Sequence, residues 1–304
     1  MKDISVVMTT YMHGRFIRAA IESVLAQTFK DYELIIINDG SPDNTDEEIL
    51  KVKDPRIAYI KQAPSGLPAI SRNRGISRAT GRLIAFFDGD DTWHPSKLER
   101  SLEVFREEPV VDILCHDLNL IKDSGKILKR TSFGPYEGDV YRQLLVEGNS
   151  LGISGTVMKR SIFSEDTCFF SEDKRLFTVE DYELWLRLAK SRRYHFYYLP
   201  EILGEHRVFE ESASLANAGK NASNMVYLLE QNLETLATHD NDLKKIIKKK
   251  KSKVMFGAAL AYNYRREFSE SVKWHLMTIK EYPIYSKPYL TFLATILRIR
   301  LGYI

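Results

Sequence analysis

Short apolar runs separated by amphipathic segments dominate the first hundred residues. The runs have the length and the β-branched content of buried strands, and they cover residues 4–9, 33–37, 57–60 and 83–87. Between them, residues 16–26 carry apolar side chains at helical spacing, and Pro68 opens a second helix that runs toward residue 79. Strands that alternate with helices in this way predict right-handed βαβ units around a mainly parallel sheet.

The pattern is less regular after the first hundred residues. It predicts strands over residues 110–120 and 152–159 and helices over 139–146 and 178–189. A hairpin turn is predicted at Ser124-Gly125. From about residue 222 the chain is helical throughout. We therefore expect an α/β domain over residues 1–215, with halves at 1–110 and 111–215, and a helical region over 216–304.

Composition and cysteine content restrict the class of protein. The chain has 304 residues, of which 44% are hydrophobic and 28% charged, as in a globular protein with a sizeable core. Cys115 and Cys168 are too few for a disulfide framework, which indicates a reducing compartment. The first residues lack a signal-peptide pattern, and no run of 18 apolar residues occurs, so we expect a cytoplasmic protein without a transmembrane helix.

The positive charge is concentrated in the last sixty residues. Residues 244–304 contain 14 Lys and Arg against 3 Asp and Glu, and residues 288–304 form a mostly apolar helix with Thr291, Thr295 and Arg298 as its polar strip. This combination favours peripheral binding to an anionic membrane surface on the inner face of the cytoplasmic membrane. The alternative is a helix packed on its own domain, with solvated lysines. Nucleic acid is not an expected partner, because the basic segment lacks interleaved aromatic residues.

The fourth apolar run leads directly into an acidic cluster. Residues 83–87 are followed by Asp88, Gly89, Asp90 and Asp91. Clustered carboxylates repel one another beside a core, and a divalent cation such as Mg²⁺ or Mn²⁺ removes that repulsion. An acidic turn that caps the next helix is the alternative, and this stretch alone does not decide between them.

Other strand ends also carry residues with binding chemistry. Tyr11 follows the first strand and offers an aromatic face to a base, whereas Asp39 follows the second and can accept an imide N–H. Arg72 lies on a helix that can aim a guanidinium group at phosphate. Each has an ordinary structural explanation, but the ends of parallel strands meet at one edge of a sheet. Together they predict a nucleotide-binding crevice.

Five motifs in this order resemble the family 2 glycosyltransferases. They are the segments at residues 6–11, 23–28, 33–41, 71–75 and 86–91, the last of which is similar to the DXD metal motif of that family. The resemblance covers residues 3–106 densely and resumes over 149–214. It implies a GT-A fold, which is a Rossmann-like, mixed and mainly parallel sheet flanked by helices. It also implies inverting transfer of a sugar from a nucleotide donor, normally a UDP-sugar.

The resemblance further implies roles for individual residues. Thr9, Tyr11 and Asp39 would hold the base, and Arg72 would assist them. Asp88 would face the ribose and the metal, Asp90 would be the main metal ligand, and Gly89 lies between them in the nucleotide-sugar-binding motif. Asp91 matches a third carboxylate that is commonly present in this motif of the family.

A second acidic motif occurs at the start of the helix over residues 178–189. Glu180, Asp181 and Trp185 are similar to the ED-plus-tryptophan motif of the family, which implies that Asp181 is the general base and that Glu180 orients the acceptor or supports the structure. The alternative is that the acids stabilise the helix N-terminus. Residues 168–173 depart from the family pattern, because they replace a glycine-rich stretch.

A late element at His206 and Arg207 also resembles the family. Arg207 would contact the diphosphate, and His206 would be a further metal ligand or donor contact. A histidine at such a position is also commonly a packed or surface residue.

These observations predict a metal-dependent inverting glycosyltransferase of class EC 2.4, transferring a hexose or an N-acetylhexosamine. Its acceptor would be a glycan or a lipid-linked glycan of cell-envelope polysaccharide. One alternative is a sugar-phosphate nucleotidyltransferase, but residues 9–14 lack the glycine-rich phosphate loop that this class uses. The other is a nucleotide-sugar-binding module without catalysis, which would need no base at Asp181.

Overall fold

The computed structural model describes residues 2–165, 168–209, 218–236 and 240–301. The chain forms two compact units, the first comprising Met1–Glu172 with Glu180–Phe209 and the second Asp173–Val179 with Glu210–Ile304. The predicted boundary between residues 215 and 216 lies outside the described residues. The predicted division at residue 110 stays a prediction.

The first unit is built on a nine-stranded mixed sheet. Its strands are β1 (Ile4–Thr10), β2 (Tyr32–Asn38), β3 (Ile57–Lys61), β4 (Leu83–Asp88), β5 (Thr92–Trp93), β6 (Ile113–Lys122), β7 (Ile127–Thr131), β8 (Thr156–Lys159) and β9 (Phe196–Val208). They lie in the order β3-β2-β1-β4-β8-β6-β9-β5, with β7 paired to β6. The first four strands pair in parallel, and β8 joins β4 in the antiparallel direction. The predicted mixed α/β sheet is confirmed.

Six α-helices of the first unit lie in the described part of the chain. They are α1 (Ile17–Leu25), α2 (Thr45–Lys51), α3 (Pro68–Arg78), α4 (Lys97–Glu107), α5 (Val140–Glu147) and α6 (Glu180–Ser191). Helix α1 buries its apolar stripe against the sheet, and α3 begins at Pro68, whose fixed φ suits the first helical position. The helix predicted from residue 68 is therefore confirmed.

The central strands explain why the polar strand ends meet. All seven residues of β1 are buried, and β1 pairs with β2 on one side and with β4 on the other. Because the three strands are parallel and in register, Thr9 lies opposite Asp88, and Thr10 lies opposite Asn38. The prediction that the ends of these strands lie side by side is confirmed.

The later strands differ from the predicted ones at their starts. The strand predicted over residues 110–120 begins at Ile113, because the Val111 amide donates to the Glu108 carbonyl in a turn that leaves Val110 exposed. In the segment predicted as a strand over 152–159, Ile153–Gly155 form a 3-10 turn and β8 begins at Thr156. Strand β9 was not predicted, because Pro200 and Glu201 interrupt its alternation and shift its register against β6.

The second unit is helical. It contains α7 (Ala218–Glu234), α8 (Asn241–Tyr264), α9 (Phe268–Glu281) and α10 (Lys287–Ile296). A small core around Trp274 and Met255 joins α7, α8 and α9, and the buried Lys251 pairs with Glu230 and Glu281. The helix predicted over 288–304 ends at Ile296, because the chain turns at Arg298 with a φ of 56°. Residues 302–304 lie outside the described part. Among the described helices, none has the length and hydrophobicity needed to cross a membrane.

Candidate active site

The junction of β1 and β4 is closely packed. The Thr9 hydroxyl donates to the Asp88 carboxylate at 3.2 Å, and the Gly89 amide donates to the Thr9 carbonyl at 2.9 Å. A Cβ atom at Gly89 would lie 2.8 Å from Cβ of Thr10 and 3.0 Å from Cδ1 of Ile17. Only glycine therefore fits at this position without displacing its neighbours, and this holds the Asp88 and Asp90 backbone against β1.

Asp39 anchors the loop that precedes α3. Its carboxylate accepts hydrogen bonds from the Gln62 side chain at 2.6 Å, from the Ser65 amide and hydroxyl at 2.9 Å, and from the Gly66 amide at 3.2 Å. Tyr11, by contrast, is 47% exposed. The two residues predicted to hold a base thus differ: Tyr11 has an open surface, whereas contact of a base with Asp39 would require this loop to share or exchange a hydrogen bond.

Asp90 is the carboxylate of the β4 cluster that the protein leaves least neutralised. In the described part of the chain, the His13 ring lies against this carboxylate, with Nε2 at 3.8 Å from Oδ2, and it offsets the Asp90 charge only when it is protonated. Burial raises the pKa of Asp90 to about 6, and the nearby Asp91 and Asp88 carboxylates act in the same direction. A bound cation in the crevice would therefore stabilise the ionised form of Asp90 more than that of the other two carboxylates, which already have a cationic partner in the fold.

The Asp91 carboxylate is held by contacts within the protein. Its side chain is buried, and it accepts from the Arg207 amide at 2.9 Å and lies 3.2 Å from Nδ1 of His206. The charge of Asp91 raises the pKa of His206 to about 9, so His206 is a cation at neutral pH. The Arg207 guanidinium group donates to the backbone carbonyls of Asp90, Lys122 and Asp123. In this structure His206 and Arg207 therefore support the acidic turn, and their predicted metal and diphosphate contacts stay predictions.

The acidic turn matches the chemistry of a hard divalent ion only in part. Among the described residues, no three His, Cys, Asp or Glu side chains are arranged to hold a metal ion by themselves. Asp88 and Asp90 supply carboxylate oxygens, which Mg²⁺ and Mn²⁺ prefer, and the remaining ligands would have to come from phosphate oxygens and water. The residues fit an ion that is bound together with a nucleotide diphosphate.

A buried arginine connects this turn to the start of α6. Arg72 donates from Nη1 to Glu180 at 2.6 Å and from Nη2 to Asp88 at 3.2 Å, and its side chain is only 7% exposed. Burial acts to lower the pKa of Arg72, but the Asp88 and Glu180 charges more than offset it, so the arginine stays charged. We call this arrangement the Arg72 bridge. It joins the end of β4, Asp88, to the start of α6, Glu180, which lies 92 residues later in the sequence.

Asp181 lies beside the Arg72 bridge, with its carboxylate held by two donors. The Asn149 side chain donates to Oδ2 at 2.9 Å, and the Tyr182 amide donates to Oδ1 at 2.6 Å. Burial and the adjacent Glu180 charge raise the pKa of Asp181 to about 6, whereas Arg72 and Asn149 oppose this shift. A carboxylate with a pKa near 6 is largely ionised at neutral pH and is a stronger base than an ordinary aspartate.

The segment that departs from the family pattern is docked on α3. Asn73 accepts from the Phe170 amide and donates to the Phe170 carbonyl, both at 2.9 Å. The Phe170 ring is buried and lies 5.5 Å from the Arg72 guanidinium carbon and 6.1 Å from the Trp185 ring. Trp185 itself is fully buried, so it contributes to the site by packing beneath it.

Two residues near the carboxylates were not predicted from the sequence. Asn149 lies in the loop between α5 and β8, and its own amide oxygen receives the Leu151 amide, which fixes the direction of the side chain. His13 follows β1 in the same turn as Tyr11 and faces Asp90. His13 was within reach of sequence reasoning, since it follows a strand end, but no spacing connects Asn149 with α6.

Comparison with known proteins agrees with this architecture. Residues 5–165, just over half of the chain, match the family model of glycosyl transferase family 2. An uncharacterized glycosyltransferase of Nostoc sp. is 38% identical over 152 residues, which are 48% of this chain and 47% of the relative. The chain thus spans about half the length of that relative. The UDP-Glc:alpha-D-GlcNAc-diphosphoundecaprenol beta-1,3-glucosyltransferase WfgD of Escherichia coli is 28% identical, over 69% of this chain and 79% of its own.

Solved structures support the fold. S. aureus TarS 1-349 in complex with UDP-GlcNAc superposes with a TM-score of 0.66 over 98% of this chain and 88% of its own, at 15% identity. The mannosyltransferase PcManGT of Pyrobaculum calidifontis, solved with GDP-Man and Mn²⁺, gives a TM-score of 0.58 over 97% and 79%, at 14% identity. The predicted GT-A type of fold is confirmed. With the matching family model and the glycosyltransferase relatives, these findings establish that the chain belongs to glycosyl transferase family 2.

Proposed function

We propose that this protein transfers a sugar from a UDP-sugar to a hydroxyl group of a lipid-linked glycan, with inversion at the anomeric carbon. Family membership supports sugar transfer as the reaction class. A relative whose name specifies a UDP-glucose donor and a diphosphoundecaprenol acceptor supports the choice of substrates, as does the UDP-GlcNAc bound in a structural neighbour. The product would be an intermediate of cell-envelope polysaccharide, made by a cytoplasmic enzyme at the inner face of the membrane.

One observation carries this proposal: the Arg72 bridge brings two acidic turns together in one crevice. Asp88 accepts from one end of the Arg72 guanidinium group, and Glu180 accepts from the other. Next to each of these residues is a carboxylate whose pKa is raised to about 6, Asp90 on one side and Asp181 on the other. Inverting transfer needs a base for the acceptor hydroxyl group and positive charge at the leaving diphosphate, and a carboxylate can supply the second by holding a divalent ion.

Asp88 and Asp90 would hold the diphosphate end of the donor. A divalent ion bound there with the diphosphate, Mg²⁺ or Mn²⁺, supplies the positive charge that stabilises the leaving group. Tyr11 would stack on the base, while Thr9, Asp39 and Gly89 line the same strand ends. His206 and Arg207 support the turn through Asp91.

Asp181 would act as the general base. The acceptor oxygen attacks the anomeric carbon from the face opposite the nucleotide, and the bond from that carbon to the diphosphate oxygen breaks. The hydroxyl proton passes to Asp181, and UDP leaves with the electron pair of the broken bond. The Asn149 and Tyr182 donors keep the carboxylate in one orientation. This lowers the entropic cost of reaching a reactive geometry.

A transfer assay tests the proposal. The donors are UDP-glucose, UDP-N-acetylglucosamine and GDP-mannose, each with Mn²⁺, with Mg²⁺ or with chelator, and the acceptor is a lipid-diphosphate-linked N-acetylglucosamine. We expect turnover with a UDP-sugar that requires metal and is lost in Asp181→Asn. UDP binding without turnover of any donor would instead identify a nucleotide-sugar-binding module. Sugar-1-phosphate and UTP serve as the control pair, because their conversion to a UDP-sugar would identify a nucleotidyltransferase.

A further inference from the structure

Helix α10 of the second unit presents its apolar side to solvent. Six large apolar residues between Ile284 and Leu297 are exposed, with Leu290 at 78% and Leu293 at 60%. We call them the apolar face of α10: Ile284, Tyr289, Leu290, Leu293, Ile296 and Leu297. A helix at the surface of a globular protein normally turns its apolar stripe toward the core. Here the arrangement is reversed.

The opposite side of α10 is polar and takes part in a buried hydrogen-bond network. Thr295 is 1% exposed and accepts from the Asn263 side chain at 2.9 Å, and the Thr291 hydroxyl lies 2.9 Å from Nε2 of His275. Asn263 and His275 are themselves fully buried. Thr291 and Thr295 of the polar strip recognised in the sequence therefore form the inner face of the helix, whereas Arg298 lies beyond its end and is exposed.

This network fixes the rotation of α10 about its axis. Asn263 also accepts from the Leu301 amide at 2.7 Å and donates to the Ile299 carbonyl at 3.1 Å, so it holds the chain after the helix as well. Turning the helix over would bury its leucines but would leave the Asn263 and His275 side chains without these partners, and unpaired buried polar groups are costly. The hydrogen-bond network within the second unit consequently determines that the apolar face of α10 is exposed.

The charge around this face identifies its partner. Residues 282–304 contain three basic residues, Lys287, Arg298 and Arg300, and no acidic residue. Lys287 and Arg298 are exposed at the two ends of the helix. An apolar strip with cations at its ends suits the interfacial region of an anionic bilayer, where leucines enter the acyl boundary and basic groups meet lipid phosphates.

We propose that the apolar face of α10 binds the surface of an anionic lipid bilayer, with the helix lying in the membrane plane. A second copy of the chain fits less well, because a symmetric contact would set the basic ends of two helices against each other without an acid between them. This proposal extends the proposed function and does not depend on it, since lipid binding and donor binding are separate measurements.

Vesicle flotation of the full chain tests the proposal. We compare vesicles of phosphatidylcholine alone with vesicles that contain about 30 mol% phosphatidylglycerol, which gives them a negative surface potential. We expect the wild-type protein to float with the anionic vesicles, less so at high salt. Leu290→Asp/Leu293→Asp should lower the partition coefficient about a hundredfold, since each buried leucine contributes roughly tenfold. Lys287→Glu/Arg298→Glu should remove the preference for anionic lipid.

Val110→Asp is the matched control, because Val110 is an exposed apolar residue of the first unit, at 61%. It should bind vesicles like the wild type. Circular dichroism and UDP-induced thermal stabilisation check that each variant is folded. No flotation of the wild type, or equal flotation of Leu290→Asp/Leu293→Asp, would overturn the proposal. A wild-type dimer that this double variant converts to a monomer, without vesicle binding, would assign the face to self-association instead.

Discussion

The two acidic turns of the first unit are built alike but are neutralised differently. In each, one carboxylate is fixed by a cation of the fold: Asp91 by His206, and Glu180 by Arg72. In each, the neighbouring carboxylate has a pKa raised to about 6. Asp181, however, receives two hydrogen bonds, whereas among the described residues the contact of the Asp90 carboxylate is with the His13 ring, at the longer distance of 3.8 Å.

The difference separates two kinds of function. A carboxylate held by neutral donors keeps one orientation and can take a proton from a substrate. A carboxylate that lacks hydrogen-bond donors and lies near other acids is instead stabilised by binding a metal cation. The proposed base and the proposed metal ligand can therefore be distinguished by their surroundings, although both are aspartates with a similar pKa.

The largest effect is expected at Asp181. Asp181→Asn should lower kcat by roughly 10³-fold, because it removes the proton acceptor. UDP binding, measured by thermal shift with Mn²⁺, should be unchanged. The matched control is Glu183→Gln in the same helical turn, which should keep most of the activity. Equal loss of kcat and of UDP binding in Asp181→Asn would contradict the role of a base.

The same variant gives a test of sign in stability. Because the pKa of Asp181 is raised in the folded state, protonation stabilises folding, and the wild type gains stability from this group as the pH falls through about 6. Asp181→Asn removes this partly buried charge, so its Tm should exceed that of the wild type at pH 7.5. The difference should shrink toward pH 4. A lower Tm at pH 7.5 would show that the ionised carboxylate is well compensated.

The second largest effect is expected at Asp90. Asp90→Asn should lower kcat/KM by roughly 10²-fold and abolish the dependence of UDP binding on Mn²⁺, because the main carboxylate for the ion is lost. Isothermal titration of UDP with and without Mn²⁺ measures this. Asp123→Asn, a nearby exposed acid, is the control. Metal-dependent UDP binding that survives in Asp90→Asn would contradict the assignment.

A third effect concerns the Arg72 bridge. Glu180→Gln leaves Arg72 buried beside a weaker partner, so we expect a loss of about 3 kcal/mol in the free energy of unfolding by denaturant titration. The pH profile of kcat/KM should also shift to lower pH, since the Glu180 charge that raises the pKa of Asp181 is gone. A destabilised variant with an unchanged profile would restrict Glu180 to a structural role.

The smallest effect is expected at Asn149. Asn149→Ala removes a hydrogen bond that favours the ionised form of Asp181, so the acid limb of the kcat/KM profile should move to higher pH by less than about one unit. Asn149→Asp should move it further in the same direction, because it adds a negative charge. A shift to lower pH in either variant would contradict the described geometry.

The sequence predicted the meeting of the strand ends better than the contacts around α6. Thr9, Asp39 and Asp88 were found because each ends an apolar run, and parallel strands bring such ends together. The Arg72 bridge and the Asn149 contact join segments that no periodicity in the sequence relates. They can therefore be recognised only in the three-dimensional structure. Helix α10 shows a different limit, because its pattern revealed two faces but not which of them the polar network of Asn263 and His275 would turn inward.

The Arg72 bridge also has an evolutionary consequence. One guanidinium group pairs with two acids from distant segments. If any one of these three residues is replaced by a neutral one, a buried charge at the other two loses a partner. Positions 72, 88 and 180 should accordingly be inherited as a set. Among relatives in which position 180 is neutral, position 72 should have lost its charge as well, and sequences with only one of these exchanges should be rare.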